Sequence, residues 1–347
     1  MIRRLSRPLR ITIEVVLIGG LIALFILILD PERLREEFLR LTVASVLGLL
    51  GLQVALHTVG MLQWWVLLRE AGIHASPWRV FRARLSGCAI TSLTPSAYFG
   101  GEPVRAALLK DSATPYRRVF ATVAVDKYIE LATKLPAAAV GLGFLIFRVH
   151  PSLALVVVSS LFVAGFLVVF LLLMVKLFQG GDFIVALTRR VVRPLARLRP
   201  RAAAKAVHVV RDFKGSVAAL ITTRRVFYLA LGLGLTLSAV ELAQYAYALA
   251  VLGVPSIPNA AIIFFGHMFL GIFSFIPGNV GSMEGVFLFT FTLLGLGSNR
   301  SLIFSLLIRV GQMVMVALGL LNIVVSRLTN RARKEGAEGA DRIRTGA

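Results

Sequence analysis

The chain has 347 residues, of which 57% are hydrophobic and only 16% are charged. This composition excludes a soluble globular protein and is typical of a membrane protein with several spans in one domain. The formal net charge is +21, but basic residues beside apolar runs are expected of cytoplasmic loops, so we do not expect nucleic acid as a partner.

Apolar runs long enough to cross a bilayer recur along the chain, since a spanning helix needs about 20 apolar residues. The clear candidate spans are 11–29, 42–68, 119–147, 152–175, 226–252 and 301–325. The first run is too long for a signal-peptide core and lacks a small-residue cleavage pattern, so we predict that it is retained. Two further apolar stretches, 85–109 and 259–297, are each interrupted by a loop rich in proline and glycine.

Lysine and arginine in short loops predict the orientation of the spans. The arginines before residue 11 and those after Arg327 place both termini in the cytoplasm, and the mixed charges of 30–40 place that loop outside. Further basic residues predicted to lie inside are Arg69, Arg79, Arg82, Arg84, Arg117 and Arg118. By this counting, the stretch 85–116 enters and leaves the membrane from the cytoplasmic face, whereas 259–297 enters and leaves from the opposite face.

The sequence therefore predicts an all-α polytopic protein of the cell's inner (plasma) membrane. We expect six full transmembrane helices plus two oppositely oriented re-entrant helical hairpins, which together form an inverted repeat. The predicted membrane domain is 1–327, with one repeat at about 42–175 and the other at about 226–325. Between the repeats, the basic segment 182–224 predicts amphipathic helices on the cytoplasmic surface that contact anionic lipid head groups, or else a retention signal without a specific ligand. The tail 328–347 is predicted to be disordered.

The two interrupting loops also match in sequence. One reads Ser92-Leu-Thr-Pro-Ser-Ala-Tyr-Phe-Gly-Gly-Glu-Pro-Val104, and the other reads Ser274-Phe-Ile-Pro-Gly-Asn-Val-Gly-Ser-Met-Glu-Gly-Val286. In both, Glu follows Pro by seven residues, and a cation within an apolar run follows that Glu by a further twenty-five (Lys127 and Arg309). Duplicated helix-breaking loops of this kind are expected of transporters built from two related halves.

Charged side chains within apolar spans must be paired, hydrated or functional, because each costs about 2.5–3.5 kcal/mol at the bilayer centre. Asp126, Lys127, Glu130 and Lys134 share one span, where their spacing predicts a ladder of opposite charges. Glu241 on a later span could line a cavity or serve as a structural partner. Trp64, Trp65 and Trp78 suit an interfacial belt.

The glycines of the two loops let backbone N–H groups approach a ligand, and the helix that follows each loop offers its positive end to an anion. The candidate substrate-binding residues are Gly100, Gly101, Glu102, Arg105, Asp126, Lys127, Glu130, Pro277, Gly278, Gly281, Glu284 and Arg309. Two interpretations of the loop glutamates stay open. They could simply be favoured at a helix start, or Glu102 could pair with Lys127 or Arg105 and Glu284 with Arg309, until a lipid phosphate displaces the carboxylate.

No motif of an enzyme, a metal site or a cofactor site occurs: there is no H-E-x-x-H, Cys/His metal spacing, P-loop or dinucleotide fingerprint. Gly281-Ser282 does not lie in a G-x-S-x-G elbow. We therefore expect neither a catalytic residue nor a metal or cofactor.

The chain resembles the membrane region of the lysylphosphatidylglycerol synthases, a family of flippase-like integral membrane proteins. The likeness covers roughly residues 8–325 and is carried by Leu93-Thr-Pro…Gly100-Gly-Glu-Pro-Val-Arg105, Asp126-Lys127, Ile276-Pro-Gly…Gly281-Ser-Met-Glu284 and Arg309. Asp126-Lys127 stands where the family usually has Glu-Arg, which keeps the charges but not the bidentate geometry of arginine.

The resemblance implies movement of a polar-headed lipid between leaflets. We expect the chain to lack the soluble aminoacyl-transfer domain that follows this region in the full synthases. We expect a flippase or scramblase of a zwitterionic, aminoacylated or polyprenyl-phosphate lipid. The alternatives are a transporter of a small hydrophilic solute and a membrane-embedded lipid-modifying enzyme.

Overall fold

The computed structural model describes residues 41–94, 100–110, 114–178, 223–271, 279 and 281–345, with residues 190, 211, 215, 217 and 220. All regular structure within these residues is helical, which confirms the all-α class. The predicted span 11–29, most of the basic segment 182–224, and the candidate residues Pro277 and Gly278 lie outside the described residues.

The described helices follow one another in the order long, short, short, long, and then repeat that order after an additional helix. They are α1 (Val43–Glu70), α2 (Pro77–Leu93), α3 (Glu102–Leu109), α4 (Tyr116–Phe144, continued by a π-helical turn at Leu145–Val149), α5 (Leu153–Phe178), α6 (Arg224–Val251), α7 (Ile257–Gly271), α8 (Ser282–Leu293) and α9 (Ser298–Thr345).

Among the described residues, four helices are long and apolar enough to cross a membrane: Val43–Glu70, Tyr116–Val149, Arg224–Val251 and Ser298–Ser326. They coincide with four of the predicted spans, and α5 covers a fifth. The chain is thus a polytopic integral membrane protein. The structure continues α9 through the tail where the composition predicts disorder, because the alanine, arginine, lysine and glutamate of the tail are also good helix formers.

Each interrupted stretch forms two helices with a break at the proline-glycine loop. In the first stretch, α2 ends at Leu93, two residues before Pro95, and α3 begins at Glu102. In the second, α7 ends at Gly271 and α8 begins directly after Gly281. Gly281 has a φ of +84°, which only glycine adopts readily and which fixes the glycine at that position.

The helix α3 packs back against α2 through a close approach of two glycine backbones. A Cβ atom on Gly101 would overlap the backbone of Gly87, and one on Gly87 would overlap the side chain of Arg105. The Gly101 N–H also donates to Thr91 Oγ1 at 2.9 Å. This contact fixes where α3 begins and therefore where Arg105, one turn later, is placed.

The helices α1–α4 and α6–α9 contact one another in matching pairs. The helices α1 and α2 both pack on α9. In the same way, their counterparts α6 and α7 both pack on α4, and α1 and α6 pack on each other. From one end to the other, the contacts between α1 and α6 are Gly48 with Tyr247, Gln53 with Gln244, Gln63 with Gly234, and Glu70 with Thr223. The two central helices are therefore antiparallel.

The interiors of the two sets of helices differ in chemistry. In the second set, Tyr245, Phe264, Phe287, Phe291 and Phe304 form a buried aromatic core; the rings of Phe287 and Phe304, for example, meet edge to face at 5.0 Å. In the first set, the largest fully buried side chain is Trp64, whose ring lies against the guanidinium of Arg105 as well as apolar residues.

Candidate functional site

The first set of helices holds a buried group of charges around Asp126 on α4. The Asp126 side chain is 0% exposed. Its Oδ2 accepts from Arg105 Nη2 at 2.5 Å and from Arg84 Nη1 at 3.2 Å. Gln63 Nε2 donates to Asp126 Oδ1 at 2.9 Å and to the carbonyl oxygen of the same residue at 3.0 Å. We call Gln63, Arg84, Arg105, Asp126, Lys127 and Glu130 the Asp126 cluster.

Arg105 is held by contacts on two sides. Its guanidinium carbon lies 4.2 Å from the centroid of the Trp64 ring, a cation–π contact in a desolvated environment. The indole N–H of Trp64 donates to Thr122 Oγ1 at 2.9 Å, which fixes the ring that supports the arginine. The Nε of Arg105 is buried without a hydrogen-bond partner, so the guanidinium keeps an unused donor.

A less buried pair completes the cluster. Lys127 Nζ lies 3.1 Å from Glu130 Oε1, and Arg84 Nη2 lies 3.5 Å from Glu130 Oε2. The side chains of Lys127 and Glu130 are 13% and 15% exposed, unlike that of Asp126. The cluster thus contains three cations and two carboxylates, and its accessible edge is formed by Lys127 and Glu130.

This accessible edge faces a small cavity of about 40 Å³, which holds at most a few water molecules. Lys134 and Glu241 line the cavity as a second ion pair, with Nζ and Oε2 2.7 Å apart. The lining also includes Lys127, Glu130 and His267. The cavity therefore presents alternating charges and joins α4 to α6 and α7.

A second polar cluster lies at the start of α8. Arg309 Nε donates to Glu284 Oε1, and Arg309 Nη2 donates to Glu284 Oε2 at 2.9 Å and to the Asn279 carbonyl oxygen at 2.9 Å. Glu284 Oε2 also accepts from the Gly281 N–H at 2.6 Å, and Ser305 donates to Glu284 Oε1 at 3.1 Å. Glu284 therefore caps its own helix and pairs with Arg309, so both expected contacts are present, while displacement of the carboxylate by a lipid phosphate stays a prediction.

For Glu102 the predicted ion pair is wrong, whereas the helix-start interpretation is confirmed, since α3 begins at this residue. Arg105 pairs with Asp126 and Lys127 pairs with Glu130, so neither predicted cation binds the Glu102 carboxylate. Glu102 Oε2 is buried without a hydrogen-bond partner. The physical reason is competition, because Asp126 and Glu130 on α4 provide Arg105 and Lys127 with other carboxylates. Arg309 on α9, in contrast, contacts Glu284 directly.

The predicted charge ladder and aromatic belt also differ from the structure. Lys134 forms its ion pair with Glu241 on α6 rather than with Glu130 one turn away. Trp64 is fully buried, whereas Trp78 is 64% exposed. The remaining loop candidates lie beside their helix starts, since Gly100 and Gly101 precede α3 and Gly281 precedes α8.

Sequence reasoning missed Gln63 and Arg84, which both bind Asp126. Arg84 was assigned to a cytoplasmic loop by counting basic residues, but it lies within α2. Helical spacing from Asp126 to Glu130 indicates the missing partner, because two carboxylates one turn apart on a buried face require a second cation beside Lys127. Nothing in the sequence indicates Gln63. No group of residues that could hold a metal ion occurs in the described part of the chain.

Comparisons with known proteins give one family and two relatives. A family model described as the lysylphosphatidylglycerol synthase TM region matches residues 11–319. A protein of Methanothermobacter thermautotrophicus named UPF0104 membrane protein is 22% identical over 299 residues, which cover 83% of this chain and 87% of the relative. Another protein of that name and organism is 26% identical over 239 residues, 64% of this chain and 66% of the relative. No solved structure matches the chain.

Proposed function

This chain belongs to the lysylphosphatidylglycerol synthase transmembrane-region family, and we propose that it moves a phosphate-bearing lipid between the leaflets of its membrane. The observation that carries the proposal is the Asp126 cluster, a set of buried charges on apolar helices. Ionisable residues within a membrane are costly and typically mark a pathway for a polar group. The lipid head group is the polar part that must cross the apolar interior.

We infer that the protein is an inverted repeat. The same offset in residue number separates Pro95 from Pro277, Glu102 from Glu284, and Lys127 from Arg309. The matching helix contacts and the antiparallel packing of α1 on α6 support a two-fold axis perpendicular to these helices. Because α1 and α6 are long enough to span the bilayer, such an axis would lie in the membrane plane, with the two hairpins entering from opposite faces.

The first half alone carries buried charges at three positions whose equivalents in the second half are uncharged, so we propose that the head group binds in the first half. The positions equivalent to Arg84, Arg105 and Asp126 are Gly266, Phe287 and Ile308. Phe287 and Ile308 belong to the buried aromatic core of the second half. The same scaffold thus packs without charges at these three positions, so Arg84, Arg105 and Asp126 are not needed to build the fold.

The proposed roles of these residues follow from which side chains line the cavity. Asp126 positions Arg84 and Arg105, while Lys127, Glu130, Lys134 and Glu241 meet the lipid at the cavity. A phosphate would bind Lys127 or Lys134 in place of a carboxylate, and the released Glu130 or Glu241 would bind a positive group on the same head group. This pattern favours a zwitterionic or aminoacylated phospholipid, and a polyprenyl phosphate would use the cations alone. The cavity must widen during transport, since its present volume does not admit a head group.

The test is transport of labelled lipids in liposomes that contain the purified chain. A zwitterionic phospholipid should cross, whereas a neutral glycolipid should not. In the Lys127→Gln, Glu130→Gln variant, which leaves the net charge unchanged, transport should fall to the protein-free rate. The matched control is Arg69→Gln, Glu70→Gln at the exposed end of α1, which should keep wild-type transport. Equal transport of neutral and phosphate-bearing lipids would contradict the proposal.

A transporter of a small hydrophilic solute is the second candidate, because the cavity holds paired charges and broken helices also serve such substrates. Uptake of a soluble ion or metabolite, without movement of any lipid, would favour it. We propose no chemical step for the chain. Covalent change of a lipid by the purified protein would instead indicate an enzyme.

A further inference from the structure

We propose that a groove between α2 and α9, separate from the Asp126 cluster, binds the phosphate of an anionic phospholipid at the membrane surface. The groove encloses about 110 Å³. Its lining residues are Arg79, Arg82, Ala83, Leu108, Leu109, Asn322 and Ser326. We call it the α2–α9 groove. The inference concerns binding only and does not depend on the transport proposed above.

The polar wall of the groove contains an arginine that is already oriented. Arg82 Nε donates to Asn322 Oδ1 at 2.5 Å, and Asn322 Nδ2 donates back to the Arg82 carbonyl oxygen at 3.1 Å and to Ser86 Oγ at 2.6 Å. With Nε used, the two terminal nitrogens of Arg82 keep their N–H groups for a ligand. A guanidinium fixed in this way is suited to bidentate binding of a phosphate.

The charge of the groove has no compensating carboxylate. Arg84, two residues after Arg82, forms ion pairs with Asp126 and Glu130. Neither Arg79 nor Arg82 forms an ion pair with any residue of the part of the chain that the structure describes. The same helix thus carries a neutralised arginine towards the interior and two uncompensated arginines at the groove. Two adjacent cations beside a cavity favour an anion.

The surroundings of the groove indicate that the anion belongs to a lipid. Trp78 is 64% exposed and stacks on Phe81 with ring centroids 5.7 Å apart. Exposed aromatic rings next to arginines are typical of the head-group region of a membrane. The groove is also lined by Leu108, which is partly exposed and would contact the apolar part of a lipid but offers nothing to a free ion, and by the buried Ala83 and Leu109.

The second half of the protein provides an internal comparison. The repeat offset relates Ala83 and Leu108 of the α2–α9 groove to Phe265 and Thr290, which belong to a cavity of about 240 Å³ whose lining residues include no charged side chain. The positions equivalent to Arg79 and Arg82 are Ala261 and Phe264. The scaffold therefore does not require cations at this place, and their presence on one side alone is consistent with a ligand found in one leaflet.

The experiment measures binding of short-chain phosphatidylglycerol to the purified full-length chain in neutral detergent, by calorimetry. The groove variant is Arg79→Gln, Arg82→Gln. The control variant, Arg224→Gln, Arg225→Gln, removes the same charge from two exposed residues at the start of α6. Removing each arginine should weaken phosphatidylglycerol binding about fivefold, so affinity at the groove should fall roughly 25-fold in the groove variant. Affinity should stay unchanged in the control. A diacylglycerol of the same chain length, which lacks the phosphate, should not bind.

Three results would overturn the proposal. Unchanged phosphatidylglycerol binding in the groove variant would exclude the site. Equal losses of affinity in the groove and control variants would show that binding depends only on the net charge of the protein. Inorganic phosphate that binds as tightly as the lipid would identify a free anion as the ligand. If the double variant does not fold, Arg79→Gln alone decides, because Arg79 is exposed; about fivefold weaker binding is expected.

Discussion

Replacing Asp126 by asparagine should destabilise the protein more than any other single change in the cluster. The carboxylate is fully buried and is the anion that pairs with Arg105, whose own side chain is 6% exposed. Arg84 keeps Glu130 as a partner, but Arg105 would become an uncompensated buried charge. Breaking a buried pair in this way costs about 3–5 kcal/mol. At roughly 2–4 °C for each kcal/mol, the melting temperature should fall by roughly 6–20 °C.

A double-mutant cycle separates loss of the ion pair from loss of packing. Arg105→Met removes the stranded charge and still fills the space beside Trp64. The double variant Asp126→Asn, Arg105→Met should therefore be more stable than Asp126→Asn alone, because a buried pair replaced on both sides often costs little. The measurement is the fraction of folded protein in detergent after heating, followed by size-exclusion chromatography.

The matched control is Glu130→Gln, since Glu130 is 15% exposed and both of its cations retain other contacts. It should lower the melting temperature by clearly less than Asp126→Asn does. The reasoning is refuted if Asp126→Asn melts within about 2 °C of the wild type, less than 1 kcal/mol for a protein of this size. It is also refuted if Arg105→Met adds its own loss without any rescue.

Three further predictions concern the loops and the topology. Gly101→Ala should abolish stable folding, because the new Cβ overlaps the Gly87 backbone. The control Gly143→Ala, where a Cβ meets no atom within 4 Å, should express normally. Expression of both variants at equal levels would contradict the contact between α2 and α3. Glu284→Gln should lower the free energy of unfolding by about 1–3 kcal/mol through loss of the helix cap and part of the ion pair. Arg309→Lys should also be less stable than the wild type, because lysine cannot bind both Glu284 and the Asn279 carbonyl as the guanidinium does; equal stability of all three proteins would exclude a structural role for the pair. Cysteines at positions 254 and 299, introduced with Cys88→Ala, should react with an impermeant reagent from outside the cell, and labelling only from the cytoplasm would contradict the inverted repeat.

The sequence predicted those parts of the structure that depend on local chemistry. The long helices follow from apolar length, and the two breaks follow from proline and glycine. The Glu284–Arg309 pair follows from the matched spacing of the loops, and the structure forms it. The same spacing fails for Glu102, because the choice of partner depends on which carboxylates a neighbouring helix presents. Spacing within one segment cannot give that information.

Arg84 shows a different reason for failure. Counting basic residues treats every arginine near a helix end as a topological signal, yet α2 turns Arg79 and Arg82 towards α9 and Arg84 towards α4. Only the tertiary packing of α2, which includes its contacts with α1, α3 and α9, distinguishes the three side chains. Gln63 was missed, and Trp64 was wrongly predicted to lie in an interfacial belt, for the same reason, since their contacts with Asp126, Thr122 and Arg105 join separate helices.

The composition of the Asp126 cluster has a consequence for the order of synthesis at the ribosome. Every member of the cluster lies on α1–α4, so these charges can neutralise one another before the second half of the chain has been made. Lys134 is different, because its partner Glu241 belongs to α6, and Arg82 receives Asn322 only when α9 is complete. The first four helices should thus leave the translocon as a unit whose cluster charges already pair with one another, whereas the Lys134–Glu241 pair forms only once α6 has been made.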